Sequence, residues 1–308
     1  MKKTIITVIV IIIVIIGLYF VFHRGSSVTL TPQNSTTSST TGVNGSGVNQ
    51  SPTPTTSVSA GPVETIGMSA GGHPIVAYHY GSGSTEVVFV GGIHGGYEWN
   101  TVLVAGQLMK YLAANPSAVP ANERITVIPV LNPDGLGKVV GTSTVNFTAA
   151  DVSKSNATVI SGRYNSDNVD LNRNFDCDWQ ATGVWQNTPV SGGSAAFSEP
   201  ESQAMQKYIT TNKPTAVVVW YSAAGGVYAS NCHGGVSDAT NNLTQTFATA
   251  SGYSAHQSFD FYATTGDMTN WLAKIGVPAI SVLLTDHTGT EWSKNLAGIQ
   301  AVLTYYAK

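Results

Sequence analysis

Four short, largely apolar runs restrict this chain to folds with a buried sheet. They read EVVFV, RITVIPVL, AVVVWY and AISVLL, and lie at residues 86–90, 124–131, 216–221 and 279–284. Segments with helical spacing separate them, above all residues 99–115 and the final stretch 291–307. Strands that alternate with amphipathic helices predict an α/β domain whose sheet is covered on both faces.

Two further segments carry local predictions. Residues 198–212 read SEPESQAMQKYITTN, which favours a helix with Ser198 as N-cap, Pro200 in the first turn and Glu201 in a capping box. Residues 137–165 are polar and irregular, as in a long surface excursion that borders a site.

The first 61 residues differ in composition from the rest. Lys2 and Lys3 precede an uncharged run of 19 residues, 4–22, which at about 1.5 Å per residue matches the thickness of a bilayer core. We interpret residues 1–24 as an uncleaved signal anchor that leaves the remainder outside the cell, at the membrane. Residues 25–60 contain no charged side chain and are half Ser or Thr, so residues 25–61 are expected to be a disordered linker. Residues 62–308 form the predicted domain.

Charge and cysteine usage narrow the classes of function. Only 10% of the 308 residues are charged and the net charge is -3, which provides no basic surface for nucleic acid. Cys177 and Cys232 form a disulfide in the oxidising compartment predicted above, or else are two buried thiols.

Two motifs could hold a ligand. His94 follows the first apolar run and Glu98 opens the next helix, a pair of side chains that suits zinc or, as a simpler alternative, a structural turn. Asn172 and Arg173 lie in DNVDLNRNF, where an amide beside a guanidinium can grip a carboxylate; a solvated loop with local ion pairs is the other interpretation.

Five motifs together resemble one known family. IHGGYE, LNPDG, GRYNSDNVDLNRNF, FSEPESQAM and FYATTGDMTNWL occur in the order found in zinc carboxypeptidases related to pancreatic carboxypeptidase A. The chain resembles a divergent bacterial-type member over roughly residues 62–308. The resemblance implies a single domain with a mixed, twisted, mostly parallel sheet of about eight strands flanked by helices. It also implies one zinc ion and removal of C-terminal residues from peptides, including cell-wall peptides.

The resemblance also implies roles for individual residues. His94 and Glu98 correspond to the first two zinc ligands, and Arg163 to the arginine that stabilises the oxyanion. Asn172 and Arg173 correspond to the pair that binds the terminal carboxylate of the substrate. Tyr262 corresponds to the substrate-capping tyrosine and Thr269 to the specificity pocket, where nearby Asp267 hints at a polar or basic substrate side chain.

The chain departs from the family pattern in one spacing and at two residues. His94 and Glu98 are separated by three residues instead of two, which Gly95 and Gly96 can absorb in a loop. Tyr221 stands where the third zinc ligand, a histidine, is expected, and Leu283 stands at the catalytic glutamate. Leucine cannot accept a proton, and two ligands hold catalytic zinc poorly. Possible replacements are His233 as a ligand, or a base among three later residues, Asp286, His287 and Glu291.

These departures leave three interpretations. The first is an anchored extracytoplasmic zinc carboxypeptidase with a variant site. The second is a catalytically impaired relative that binds peptides with a free C-terminal carboxylate. The third, a structural or adhesive surface domain, gives no reason for Asn172 and Arg173.

Overall fold

The four apolar runs form neighbouring parallel strands in the middle of one sheet. In the computed structural model, which describes residues 62–308, they are β3 (Thr85–Val90), β4 (Glu123–Ile128), β7 (Ala216–Ser222) and β10 (Ala279–Leu284). Their order in the sheet is β4-β3-β7-β10, with parallel pairing throughout. Their carboxyl ends therefore meet at one edge of the sheet.

Shorter strands extend this sheet on both sides. β1 (Val63–Met68) and β2 (Pro74–Tyr80) add antiparallel strands next to β4, while β8 (Gly226–Ala229) pairs antiparallel with β10 and parallel with β9 (Ser254–His256). The predicted mixed sheet of eight strands is thus confirmed, with parallel pairing concentrated at its centre. A separate hairpin joins β5 (Thr182–Trp185) to β6 (Thr188–Ser191).

Seven α-helices accompany the strands in the described part of the chain. They are α1 (Trp99–Ala114), α2 (Pro133–Val140), α3 (Asn156–Ser161), α4 (Pro200–Asn212), α5 (Asp238–Ser251), α6 (Met268–Lys274) and α7 (Trp292–Tyr306). The helices predicted at residues 99–115 and 291–307 correspond to α1 and α7. The surface excursion at 137–165 is partly helical, because the end of α2 and all of α3 fall within it.

The alternation of side chains along the central strands separates two apolar cores. On β7, Val217, Val219 and Tyr221 face the core that contains α4 and α6. Val218 and Trp220 face the opposite core, formed with α1, α5 and α7. Successive strand residues point to opposite faces, so one strand contributes to both layers.

The predicted start of α4 was wrong in detail. Its N-cap is Glu199, whose side chain makes no capping hydrogen bond. Ser198 instead donates to Glu199 Oε1, and Glu201 accepts from the backbone N–H of Ala70 at 3.0 Å and from Asn165. Glu201 therefore accepts from donors in distant parts of the chain, and the predicted capping box does not form.

The predicted anchor and linker, residues 1–61, lie outside the described residues. Between residues 62 and 308, no helix is both long enough and apolar enough to cross a membrane. The expected disulfide is present, between Cys177 and Cys232.

Candidate active site

The predicted site residues converge at the carboxyl edge of the central strands. His94 follows β3, Tyr221 lies near the end of β7, and Leu283 lies near the end of β10. Leu283 is directly paired with Tyr221 in the sheet register. This edge is where open α/β sheets bind ligands, because loops from neighbouring strands meet there.

A tight turn brings Glu98 back to His94. The turn is a short 3₁₀ helix, Gly95–Glu98, and Gly95 has a positive φ of 47°. A Cβ atom on Gly95 would lie 2.7 Å from the carbonyl oxygen of Gly162, so a larger residue does not fit. Glu98 Oε1 lies 2.9 Å from His94 Nδ1. The additional residue between the two side chains is therefore accommodated by the glycines, as predicted.

Asp170 belongs to the same buried charge cluster, and the sequence interpretation missed it. Its Oδ1 lies 3.4 Å from His94 Nε2, and its Oδ2 accepts from Arg163 Nε at 2.8 Å. Burial opposes ionisation of Asp170, but Arg163 and His94 hold its pKa well below the usual range. Its position two residues before Asn172 in the DLNR motif was the available signal.

The residues around His94 favour its protonated form. Burial and the charge of Arg163 oppose its protonation, but Glu98 and Asp170 outweigh them and raise the pKa of His94. Neither ring nitrogen makes an aligned hydrogen bond within the described residues, and the same holds for Glu98 Oε2. These atoms are buried at the two positions that the resemblance to the family assigns to the first zinc ligands.

Asn172 and Arg173 are buried and held by neighbouring groups. Asn172 Nδ2 donates to Asp267 Oδ2 at 2.8 Å, and Asn172 Oδ1 accepts from Met268 N at 3.0 Å. Arg173 donates to the carbonyl oxygens of Asn172 and Val184. Both side chains line the same cavity, so the pair predicted to bind a carboxylate does face a ligand-sized space.

Aromatic rings surround the two arginines. The guanidinium carbon of Arg163 lies 4.6 Å from the ring centroid of Trp185, and that of Arg173 lies 5.8 Å from the ring of Tyr262. Rings at such distances attract cations and orient them. Trp185 comes from the β5–β6 hairpin, and nothing in its local sequence indicated that it would reach the site.

Two adjoining cavities make up the site. The smaller has a volume of about 220 Å³, and its lining includes His94, Glu98, Arg163, Asn172, Arg173, Tyr221, Tyr262, Thr269 and Leu283. The larger, of about 510 Å³, is lined by residues that include Tyr97, Trp185, Gln186, Asn187, Phe261 and His287. Arg163, Tyr262 and Leu283 line both. Every candidate residue carried over from the family motifs therefore lies in one place.

The expected specificity pocket is polar. Thr269 hydrogen-bonds to Asp267 Oδ1 at 2.7 Å and lies 3.1 Å from Ser281 Oγ. Asp267 also accepts from Asn172 Nδ2 and from the backbone N–H of Asn270. Its oxygens already have internal partners, so the preference for a basic substrate side chain gains no support from this geometry.

Tyr221 and Leu283 do not complete a zinc site. The Tyr221 hydroxyl donates to Asn172 Oδ1 at 3.2 Å, and burial, with the charges of Asp267 and Glu98, raises the pKa of this phenol well above 10. A neutral phenol is a poor zinc ligand, and the buried side chain of Leu283 offers no donor atom. Across residues 62–308, no group of three or more His, Cys, Asp or Glu side chains is arranged to hold a metal.

One of the possible replacements approaches this site. His233 is exposed and pairs with Asp178 at 2.7 Å, and Asp286 accepts hydrogen bonds within its own turn. Glu291 accepts from Tyr253 and Thr285. His287, in contrast, lines the larger cavity beside Tyr97, with 4.7 Å between ring centroids.

The disulfide connects two walls of the smaller cavity. Cys177 follows the Asn172–Arg173 segment, and its carbonyl oxygen accepts from Gly266 N at 2.7 Å, next to Asp267. Cys232 follows Asn231, which lines the cavity and whose backbone N–H donates to Asn270 Oδ1.

Known structures share this architecture. The murein-tripeptide amidase MpaA from Escherichia coli O157 superimposes with a TM-score of 0.56 at 19% identity, over 83% of this chain and 97% of that one. Carboxypeptidase A from Helicoverpa armigera gives a TM-score of 0.62 at 19% identity, over 80% and 69% of the two chains. At these identities the likeness concerns the fold.

Sequence comparison identifies the family. Carboxypeptidase O from Bos taurus is 28% identical over 167 residues, which cover 49% of this chain and 42% of the bovine protein. The family model described as zinc carboxypeptidase matches residues 56–304, most of the chain and all of the site. The chain therefore belongs to the zinc carboxypeptidase family.

Proposed function

We propose that this protein binds peptides through their free C-terminal carboxylate and does not hydrolyse them. One observation carries the proposal. Arg163, Asn172 and Arg173 face one cavity, and Tyr221 and Leu283 line it too, at positions that the resemblance to the family assigns to the third zinc ligand and the catalytic base. In this proposal the groups that recognise a peptide end are kept, and the groups that would cleave it are replaced.

The electrostatics of the site favour an anionic ligand end. Arg163 is paired with the Asp170 carboxylate, whereas the hydrogen bonds of Arg173 go to carbonyl oxygens, which leave its positive charge without a carboxylate partner among residues 62–308. A buried guanidinium beside an amide offers charge-assisted hydrogen bonds to a carboxylate. The terminal residue would enter the smaller cavity, and the preceding residues would lie along Trp185 and Tyr97 in the larger one.

Cell-wall peptides are the ligand class that we favour. The structural neighbour from Escherichia coli is described as a murein-tripeptide amidase. The uncharged run at residues 4–22 supports a membrane anchor, and the disulfide suits an oxidising compartment outside the cytoplasm. An anchored domain there would meet peptides released from the wall.

Hydrolysis at a rebuilt site is the second candidate function. His287 favours it, because its Nδ1 has no hydrogen-bond partner within residues 62–308 and it lies in the cavity next to Tyr97. Burial lowers the pKa of His287, which leaves a neutral imidazole capable of accepting a proton.

Calorimetric titration with matched peptides tests the proposal. The ligands are acetylated Ala-Ala-Xaa tripeptides and a murein tripeptide, each as the free acid and as the C-terminal amide. We expect the free acids to bind at least about tenfold more tightly than the amides, because only they offer a charge to Arg173. Mass spectrometry of the same mixtures should show intact peptide.

Variants of Arg173 assign the recognition to this cavity. Arg173→Ala should abolish the preference for free acids, and Arg173→Lys should keep part of it, because the charge remains while the planar fork is lost. Thermal unfolding of each variant checks that loss of the contacts to Val184 and Asn172 has not disrupted the fold. Equal affinity for acid and amide in the wild type would refute the proposal, and cleavage would establish the second candidate.

A further inference from the structure

Tyr221 makes a specific contact at the position that the resemblance to the family assigns to the third metal ligand. It lies in β7, is 5% exposed, and its hydroxyl donates to the side-chain oxygen of Asn172 at 3.2 Å. Its ring centroid is 5.7 Å from that of His94. The side chain therefore fills the space between the two remaining ligand positions and the residues that face the proposed carboxylate.

The Asn172 amide is oriented by three partners. Its oxygen accepts from Tyr221 and from Met268 N, and its nitrogen donates to Asp267 Oδ2. Exchanging the amide oxygen and nitrogen would place an NH₂ group against the Met268 donor and an oxygen against a carboxylate. Three contacts thus favour one orientation, with Tyr221 supplying the hydroxyl contact.

This orientation leaves one donor for a ligand. An asparagine NH₂ group has two N–H donors, and one of them is directed to Asp267. The second has no protein acceptor among the described residues, and Asn172 lines the cavity beside Arg173. The amide can therefore present an N–H to the same ligand oxygens that Arg173 attracts.

We propose that Tyr221 is a positioning residue of the carboxylate site, whose hydroxyl holds the Asn172 amide with its free N–H towards the ligand. Replacement of the metal ligand has then converted one element of a hydrolytic centre into part of the recognition machinery. The role in binding rests on the proposed function above, whereas the orientation of the amide can be tested without any ligand.

Tyr221→Phe removes only the hydroxyl and tests the orientation directly. In ¹⁵N-labelled protein, the Asn172 side-chain amide signals are assigned by their loss in Asn172→Asp. We expect their exchange with water to accelerate about five- to tenfold in Tyr221→Phe, as for the loss of one hydrogen bond. Tyr80→Phe, at a buried tyrosine of β2 that lines neither cavity, is the matched control and should leave these signals unchanged.

Peptide affinity then separates positioning from general stabilisation. Tyr221→Phe should reduce the preference for free acid over amide about five- to tenfold, with the affinity for the amide unchanged. A structural role alone would weaken both ligands equally, and that result would overturn the inference. Unchanged exchange at Asn172 would also overturn it, whether or not a peptide binds. Absence of any acid preference in the wild type refutes the proposed function instead.

Discussion

At the scale of single residues, the proposed loss of hydrolysis depends on two neighbouring positions. Tyr221 and Leu283 are register partners on adjacent parallel strands, and both line the smaller cavity. His94 and Glu98 remain beside them, with buried atoms that have no aligned hydrogen-bond partner in the described part of the chain. We therefore expect exchanges at these two positions to introduce zinc binding and peptide cleavage in separate steps.

Tyr221→His should create zinc binding without hydrolysis. It places a third nitrogen or oxygen ligand beside His94 and Glu98, and three protein ligands are the norm for a catalytic zinc site. We expect metal analysis after dialysis against micromolar zinc to rise to about one zinc per chain, from well below one in the wild type. Peptide cleavage should follow only when Leu283→Glu is added, because it supplies the missing base.

A His94→Ala exchange in the Tyr221→His background is the control and should remove the bound zinc. Stoichiometric zinc in the wild-type protein would contradict the proposal that Tyr221 prevents zinc binding.

Glu123 should make the stability of the fold depend on pH. It is fully buried at the start of β4, and neither carboxylate oxygen has a hydrogen-bond partner in residues 62–308. Burial raises its pKa from 4.5 to about 7. The unfolded chain ionises first, so the stability contributed by the protonated carboxyl is fully present below pH 4.5 and is lost as the pH rises through about 7.

Glu123→Gln should remove this dependence. Between pH 5 and pH 8, the melting temperature of the variant relative to the wild type should increase by about 4–8 °C, measured by circular dichroism. Parallel melting curves for the two proteins across this range would show that Glu123 titrates normally.

At the scale of elements, the segment that carries Asn172 and Arg173 is held by contacts from outside the sheet. Residues Leu171–Arg173 form a short 3₁₀ turn after Asp170, and the disulfide at Cys177 ties the following residues to the loop after β8. The backbone N–H of Phe175 and the carbonyl of Cys177 both bond to Gly266, just before Asp267. The cross-link thus acts on both sides of the cavity.

Removing the disulfide should cost stability and weaken binding together. For Cys177→Ser/Cys232→Ser we expect a loss of about 2–5 kcal/mol in the free energy of unfolding, measured with urea, as for other native disulfides. Affinity for free-acid peptides should also fall, because the segments on the two sides of the cavity are no longer cross-linked. Lys274→Ala removes a nearby exposed ion pair with Asp176 and should change stability by less than about 1 kcal/mol. Wild-type affinity in the double variant would show that the cavity keeps its shape without the cross-link.

At the scale of the whole molecule, periodicity predicted the centre of the sheet and motifs predicted the cluster of site residues. The apolar runs became β3, β4, β7 and β10 because buried parallel strands need apolar side chains on both faces. The contributions of Asp170 and Trp185 were missed, since each depends on which distant segment packs nearby. The prediction for the start of α4 was wrong for the same reason, because Ala70 and Asn165 supply hydrogen-bond donors to Glu201 that no local sequence pattern contains.

The alternation along β7 and β10 places neighbouring residues on opposite faces of the sheet. Trp220, Val282 and Leu284 pack into the core behind the sheet, whereas Tyr221 and Leu283 face the cavity. Tyr221 and Leu283 also belong to the front core, so exchanges there alter the packing on the cavity side and leave the rear core unchanged. The two faces of the same strands can therefore vary independently, the front one with the ligand in the cavity and the rear one with the helices that cover it.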